Sequence, residues 1–237
     1  MMVPPKRFYT KVAVVPVADH GTPLMIELDG KPVRTPARRI LKIAHNRLAE
    51  AISAEWQAQG AKVEVAAMPL TRLTMSVNDH VEPRVAGVQS EVLAYGATDL
   101  LCYRAAEPLR LFERQSALWQ PYLDWASAEL GAPLAATAGV KPVEQLPAAL
   151  AALRNAVCAF DAYRLLALHS LTAKLGSVVL ALAVLHGRAT ALQALEVSRL
   201  DEIFQAEIWG LDWAAEQRLA AITREVEDLA RFVSLLD

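Results

Sequence analysis

One stretch limits the fold more than any other. Leu165 to Gly187 reads LLALHSLTAKLGSVVLALAVLHG, long enough to cross a bilayer. Lys174 stands at its centre beside His169, and a central lysine costs about 2.5–3.5 kcal/mol on insertion scales. The uncharged part, Leu175 to Gly187, falls short of the roughly 20 residues that a span needs. The stretch therefore reads as a helix buried in a protein core, with no stable membrane insertion. The chain can build such a core: of 237 residues 54% are apolar and 21% charged, which excludes intrinsic disorder. At about 150 residues per domain, the length suggests one large domain or two small ones.

The periodicity changes near Pro69. Before it the pattern is β-rich. Lys11–Val17 is a β-branched run, and Leu24–Leu28, Asp29-Gly30 and Lys31–Val33 form a hairpin signal, because Asp-Gly takes the positive φ angles of a type I′ turn. Pro32 lacks an N–H and places the return strand at an edge. Ile40–Ala44 and Lys62–Ala66 are further strand candidates. Asn46 is placed to cap a helix running to Gln59, with Gly60 after it and Leu48, Ile52 and Trp56 on its inner face.

After Pro69 the pattern is helical almost throughout. Helices are expected over Leu70–His80, from Pro83 to Gly96, from Pro108 to Leu130 with Pro121 inside, and over Ala148–Phe160, Tyr163–His186, Thr190–Trp209 and Trp213–Leu236. Asp99–Arg104 is a short extended or turn segment, and Ala132–Pro147 a loop. Thr190 with Gln193 fits a capping box. Gly176 and Ser177 would let a neighbouring helix approach closely. The expected fold class is α+β: a small N-terminal α+β domain, residues 1–70, with short antiparallel strands and one helix, followed by an all-α orthogonal bundle, residues 71–237.

Signs of chemistry are scarce. There is no G-x-G-x-x-G, P-loop or G-x-S-x-G motif. Ten glycines leave few phosphate-cradling loops. His20, His45, His80, His169 and His186 show no metal-ligand spacing, and His169 reads as a satisfied core histidine. Cys102 and Cys158 sit in apolar sequence and read as packed thiols. Two cysteines support neither a disulfide framework nor a four-ligand zinc site. Lys174 is a desolvated base with a lowered pKa, or a lysine whose stem lies on apolar surface while its head reaches a carboxylate. Glu225, Glu227 and Asp228, among Arg224 and Arg231, read as a solvated face. Adjacent Asp201 and Glu202 point about 100° apart on a helix and cannot act as a carboxylate dyad. No catalytic residue, metal site or cofactor is assigned. The net charge of -2 lacks the basic footprint of a nucleic-acid binder.

Leu200–Trp213 is the most informative segment. At about 100° per residue, Leu200, Ile203, Phe204, Glu207 and Leu211 gather on one side of a helix. Glu202, Gln205, Trp209 and Trp213 gather on the other. An acid, an amide and two indoles in one line suit a binding face, since Trp is enriched at hot spots. The alternative is a helix buried on both sides, and Gly210 would end the helix before Trp213.

Six blocks then carry a resemblance: RFYT at Arg7–Thr10, LDGKPVRTP at Leu28–Pro36, LAEAISAEWQAQG at Leu48–Gly60, MPLTRL at Met68–Leu73, TDLLCYR at Thr98–Arg104 and DEIFQAEIWGLD at Asp201–Asp212. Together they resemble the assembly chaperone of the ATP synthase catalytic sector, the family that holds the alpha subunit. The resemblance implies a protein that is not an enzyme, needs no cofactor, binds the free alpha subunit and shields its beta-facing surface until the hexamer forms. It implies the same two-part fold. The family's functional glutamate lies in an acid-E-x-x-Q-x-x-x-W-G motif, here Asp201, Glu202, Gln205, Trp209 and Gly210, so its role passes to Glu202, as a partner contact or a core acid. Asp201, Gln205, Trp209 and Trp213 complete the expected partner-binding set. Met1–Thr10 shows no targeting segment, so the expected setting is the bacterial cytoplasm, or the mitochondrial matrix for a processed eukaryotic form, with the protein a monomer. Two other readings compete: an enzyme with an interdomain site using Asp99, Arg104, Lys174 or Glu202, and a membrane-associated factor docking through Leu165–Leu185.

Overall fold

The structure, a computed structural model, describes residues 5–17, 23–139, 141–210 and 213–237. The readings made above for Met1–Pro4, His20, Leu211 and Asp212 fall outside them. The fold is α+β, as expected: short strands with one helix early in the chain, then helices. It divides into two compact units: Met1–Val85 with Arg231–Asp237, and Ala86–Ala230. The helix and turns after Pro69 thus go with the strands.

In the first unit, β1 (Val12–Pro16) pairs antiparallel with β2 (Leu24–Leu28), Val12 opposite Leu28. β2 turns through Asp29 and Gly30, at φ 49° and 78°, into β3 (Lys31–Pro32). These are the two positive φ values that Asp-Gly predicts. β3 lies at the sheet edge, where Pro32 withholds no ladder donor. The segment expected as a strand at Ile40–Ala44 makes only single bridges, Arg34 to Ile40 and Leu24 to Ile43. Leu41 N bonds Val33 O and Ile43 exchanges both bonds with Leu24, but Lys42 between them is held from outside the sheet: the Asn78 side chain accepts from Lys42 N at 2.8 Å and donates to Lys42 O at 3.0 Å. Lys62–Ala66 likewise gives one bridge, Lys6 to Lys62, and then a 3₁₀ turn at Val65–Ala67.

Helix α1 (Asn46–Gln57) begins at Asn46, with His45 at the N-cap position, and stops two residues before Gln59. Leu48, Ile52 and Trp56 are buried on its inner face. Helix α2 (Pro69–Ser76) starts after Met68, which has no side chain able to cap it. Glu55 of α1 does that work. Its carboxylate accepts from Leu70 N and Thr71 N, both at 2.8 Å, and from Thr71 Oγ1 at 2.7 Å. Glu55→Ala leaves these buried donors without an acceptor. It should lower stability by about 2–3 kcal/mol, read as a midpoint drop of about 5–10 °C in thermal circular dichroism. The helix continues past α2 to His80, as expected, but its last turn widens to a π-helix at Val77–Val81, and a 3₁₀ turn follows at Glu82–Arg84. Asp79 in the widened turn accepts from Thr35 Oγ1, Ala37 N and Arg39 Nε. Burial pushes its carboxyl up, but these donors outweigh it and hold the pKa low.

The second unit holds α3 (Val85–Ala94), α4 (Leu109–Leu130), α5 (Pro147–Cys158), α6 (Ala162–Leu175), α7 (Val178–Leu185), α8 (Ala191–Ser198), α9 (Leu200–Trp209) and most of α10 (Trp213–Ser234). Gly131 ends α4 in the left-handed conformation at φ 67°. Inside the stretch expected as a loop, β5 (Thr137–Ala138) pairs in parallel with β4 (Tyr103–Arg104).

The apolar stretch is two helices, not one. Gly176 at φ 67° ends α6 in the left-handed region, and Ser177 Oγ then caps α7 by accepting from Leu180 N at 3.0 Å. Only glycine enters that region freely, so the Gly-Ser pair breaks the helix rather than thinning it. Among the described residues no helix is long and apolar enough to cross a membrane. Residues 178–183 are all fully buried, so the helix read as a membrane-docking face is enclosed. Cys102 is buried, but Cys158 is exposed at the end of α5, contrary to its apolar sequence surroundings. His169 is also not a core residue: it is part-exposed, with Nε2 3.0 Å from Glu91.

Candidate functional site

Helix α4 sets the position of α8 and α9. Its inner stripe is Leu111, Gln115, Trp119, Leu123 and Ala126, all buried, with Gln115 the one polar member. Trp119 Nε1 donates to Val197 O in the last turn of α8 at 2.9 Å. Gln115 Nε2 donates to Asp201 Oδ1 at 2.5 Å, while its Oε1 accepts from Ala105 N at 2.6 Å. Arg114 Nη1 meets Glu207 at 2.7 Å. Three side chains within six residues of α4 thus hold the end of α8 and both ends of α9. With Leu200 and Phe204 buried, the inner face of α9 is fixed.

α8 opens with the expected capping box: Thr190 accepts from Gln193 N at 3.1 Å and Thr190 N donates to Gln193 Oε1 at 2.9 Å. The sequence read α8 and α9 as one helix over Thr190–Trp209. Instead the chain breaks at Arg199. Arg199 N still bonds Leu195 O and Glu196 O, but Val197 O is taken by Trp119 of α4. Arg199 itself bridges two elements. Its Nη2 donates to Lys174 O at 2.9 Å, near the end of α6, and its Nη1 pairs with Glu202 at 2.7 Å.

The outer side of α9 carries the candidate residues. Glu202 is 65% exposed despite its pair with Arg199. It is a surface acid, not a core one. Gln205 is exposed, Ile208 is 57% exposed and Trp209 81%. Gly210, at φ 79°, then ends the helix. Trp213 opens α10 at 74% exposure. The single line of Glu202, Gln205, Trp209 and Trp213 expected on one continuous helix is therefore broken between its third and fourth members. On the opposite side, Ile203 is only half-buried and Glu207 is exposed.

Between α8–α9 and the first half of α10 lies a groove of about 630 Å³. Its apolar lining includes Leu195, Ile203, Ala206, Trp209, Leu219 and Ile222. Glu202 and Gln205 line it as well, so the structure brings Glu202, Gln205 and Trp209 together at one groove. Asp201 is turned the other way, to Gln115. The α10 wall, with Leu219 and Ile222, was not singled out in the sequence. Neither were Arg114, Gln115 and Trp119. The available signal was a lone glutamine in the apolar stripe of α4.

The residues of the enzyme reading have separate partners. Asp99 is fully buried and accepts from Ser177 Oγ, Val179 N and Leu101 N. Lys174 pairs with Glu225, matching the reading in which its head reaches a carboxylate. Arg104 donates to Ser116 and Gln120. Burial and the neighbouring Asp99 charge push the Cys102 thiol up to about 12, so it is no thiolate nucleophile near neutral pH. Among the described residues no group of three or more His, Cys, Asp and Glu side chains is placed to hold a metal ion.

Comparison with known proteins adds a family. The model of the ATP12 chaperone protein family matches residues 6–127. The fold is similar to that of Atp12 from Paracoccus denitrificans, at 41% identity and a TM-score of 0.93, over 98% of this chain and 99% of that one. An aspartate-to-lysine mutant of Atp12p from the same organism matches at 40% identity and a TM-score of 0.93, over 98% of each chain. A protein from Agrobacterium tumefaciens, described as a chaperone, matches at 36% identity and a TM-score of 0.92, over 98% of this chain and 87% of its own.

Proposed function

Because this chain belongs to the ATP12 chaperone family, a family of ATP synthase assembly chaperones, we propose that it binds the free alpha subunit of the ATP synthase catalytic sector. It covers the surface that later meets a beta subunit and leaves as the hexamer forms. The contact surface is the outer side of α9 with the start of α10: Glu202, Gln205, Trp209 and Trp213. Asp201 supports that surface from behind through its bond with Gln115.

The observation that carries this reading is the pair of indoles. Each leaves most of a large apolar side chain in water, at 81% and 74% exposure, and tryptophan is enriched at binding hot spots. An isolated ring subunit exposes interface area prone to aggregation. A chaperone needs only moderate affinity for it, so that the native neighbour wins by mass action. An interface of about 1,200–2,000 Å² suffices. The protein works as a monomer, without a cofactor and without making or breaking a covalent bond, in the bacterial cytoplasm or, for a processed eukaryotic form, the mitochondrial matrix.

Co-expression with the alpha subunit tests this. The soluble fraction of the alpha subunit should rise several-fold, and the two should co-purify. Equal aggregation with and without this protein would refute the proposal.

A further inference from the structure

We infer that Gln115 of α4 is a positioning residue for the contact surface: it decides which of two adjacent acids, Asp201 or Glu202, is turned toward the client chain. This rests on the chaperone reading above and names what orients its surface.

Gln115 is a polar side chain with no exposure, the one amide in the buried stripe of α4. Its orientation is forced at both ends. A backbone N–H only donates, so Oε1 must face Ala105 N, at 2.6 Å. A carboxylate accepts, so Nε2 must face Asp201 Oδ1, at 2.5 Å. Ala105 follows directly on β4, so the amide is aimed from that side independently of α9.

Helix α9 needs such a hold. It is ten residues long, buries only Leu200 and Phe204, and starts at Arg199 without a side-chain cap. Apolar burial is non-directional. Two buried side chains choose which side of α9 faces in and leave its angle loose. A hydrogen bond weakens steeply away from linearity, so the bond from Gln115 to Asp201 sets that angle. Adjacent residues on a helix point about 100° apart. With Asp201 turned to Gln115, Glu202 is turned outward, 65% exposed, where Arg199 Nη1 meets it at 2.7 Å. Gln205 and Trp209 follow Glu202 at i+3 and i+7 on the same outer face. The neutral donor thus keeps the shorter acid against α4, and the cation holds the longer one at the surface. Gln115 has no surface of its own to offer a client, yet it aims every contact that α9 makes.

Four proteins test this: the parent chain, Gln115→Leu, Gln115→Glu, and Gln115→Glu combined with Asp201→Asn. Leucine loses both bonds. Glutamate still accepts from Ala105 N but sets a like charge against Asp201. In the combined variant the polarity is reversed, and the new asparagine amide donates to the new carboxylate. Amide hydrogen exchange, read by mass spectrometry, reports on α9 without any partner. Both single variants should speed exchange across α9 about tenfold, the worth of one bond to a charged group, with α6 and α7 unchanged. The soluble fraction of a co-expressed alpha subunit should fall several-fold, while circular dichroism stays that of the parent. The combined variant should recover both readouts, the non-additivity expected of residues in contact. A merely structural glutamine gives another pattern: the buried charge leaves the combined variant no better than Gln115→Glu, and exchange speeds in α6 and α7 as well. Unchanged α9 exchange in the single variants, or no recovery in the combined one, overturns the inference. So does faster α9 exchange with full protection of the alpha subunit, since the helix angle then does not matter to the contact. Should Gln115→Leu fail to fold, Gln115→Glu against the combined variant still decides. A parent chain that leaves the alpha subunit insoluble refutes the chaperone reading instead, and the exchange pattern then upholds or overturns the hold of Gln115 on α9 by itself.

Discussion

Asp99→Ala should lower the thermal midpoint by about 10 °C at pH 5. The carboxylate is fully buried. It accepts from Ser177 Oγ at 2.8 Å, Val179 N at 3.1 Å and Leu101 N at 3.1 Å. It therefore holds the Leu100–Cys102 turn against the first turn of α7, at the point where Gly176 has broken the apolar stretch. Alanine strands three buried donors and opens a small void, at about 3–5 kcal/mol. The effect depends on pH. Burial pushes the Asp99 carboxyl up to about 6, against the opposing donors from Ser177, Val179 and Leu101. The unfolded chain releases that proton near the usual carboxylate value of 3.8. A raised folded pKa means that this group's stabilisation is complete below about pH 4 and is lost as pH rises through about 6. The whole difference is about 3 kcal/mol. The substitution should thus be costliest in mild acid, with its penalty shrinking by about 1–2 kcal/mol between pH 5 and pH 8. Urea unfolding of both proteins at the two values reads this directly. A penalty that grows with pH would mean that the ionised form is the favoured one in the fold.

Glu202→Lys should leave the fold standing and remove the chaperoning. The side chain is 65% exposed, and its ion pair with Arg199, at 2.7 Å, is a surface pair. Losing such a pair changes stability by about 1 kcal/mol or less. The lysine then stands beside Arg199 on the same side of the groove, and two adjacent cations replace an ion pair. A charge reversed at the centre of an interface weakens binding by about tenfold or more. The alpha subunit's soluble fraction should fall to its level without chaperone, while circular dichroism and the thermal midpoint stay near those of the parent. Glu202→Gln, which keeps the shape and removes the charge, should fall between the two. A Glu202→Lys protein that unfolds would make Glu202 a structural residue and move the contact surface elsewhere.

The order of elements was legible because it rests on local signals. Asp29-Gly30, the Thr190–Gln193 capping box, Gly131 and the Leu48, Ile52, Trp56 spacing each act within a few residues, and each is seen in the fold. What failed was set by partners distant in sequence. Ile40–Ala44 has the composition of a strand, but Asn78 claims the backbone of Lys42. Arg199 interrupts a helical pattern where Trp119, on another helix, takes a carbonyl. Gly176 was visible, yet its left-handed conformation was not, and a tolerated mid-helix glycine looks the same in sequence. The site was half legible. Glu202, Gln205 and Trp209 do share one groove. Its other wall comes from α10, beyond a glycine break that no helical projection crosses. The role of Glu202 came from motif likeness and not from periodicity, which could not say what the indoles face.

The two sulfurs give the molecule a built-in count of its own opening. Cys158 lies exposed at the end of α5, while Cys102 is enclosed beside Asp99 with its thiol held at about 12. A maleimide added to the native protein finds one site, and the second becomes available only when the Leu100–Cys102 turn lets go. The rate at which the second adduct appears in a mass spectrum thus clocks the release of that turn, with no engineered label. The same arrangement sets a rule for handling: under oxidation, Cys158 is the sulfur through which two copies would become covalently joined.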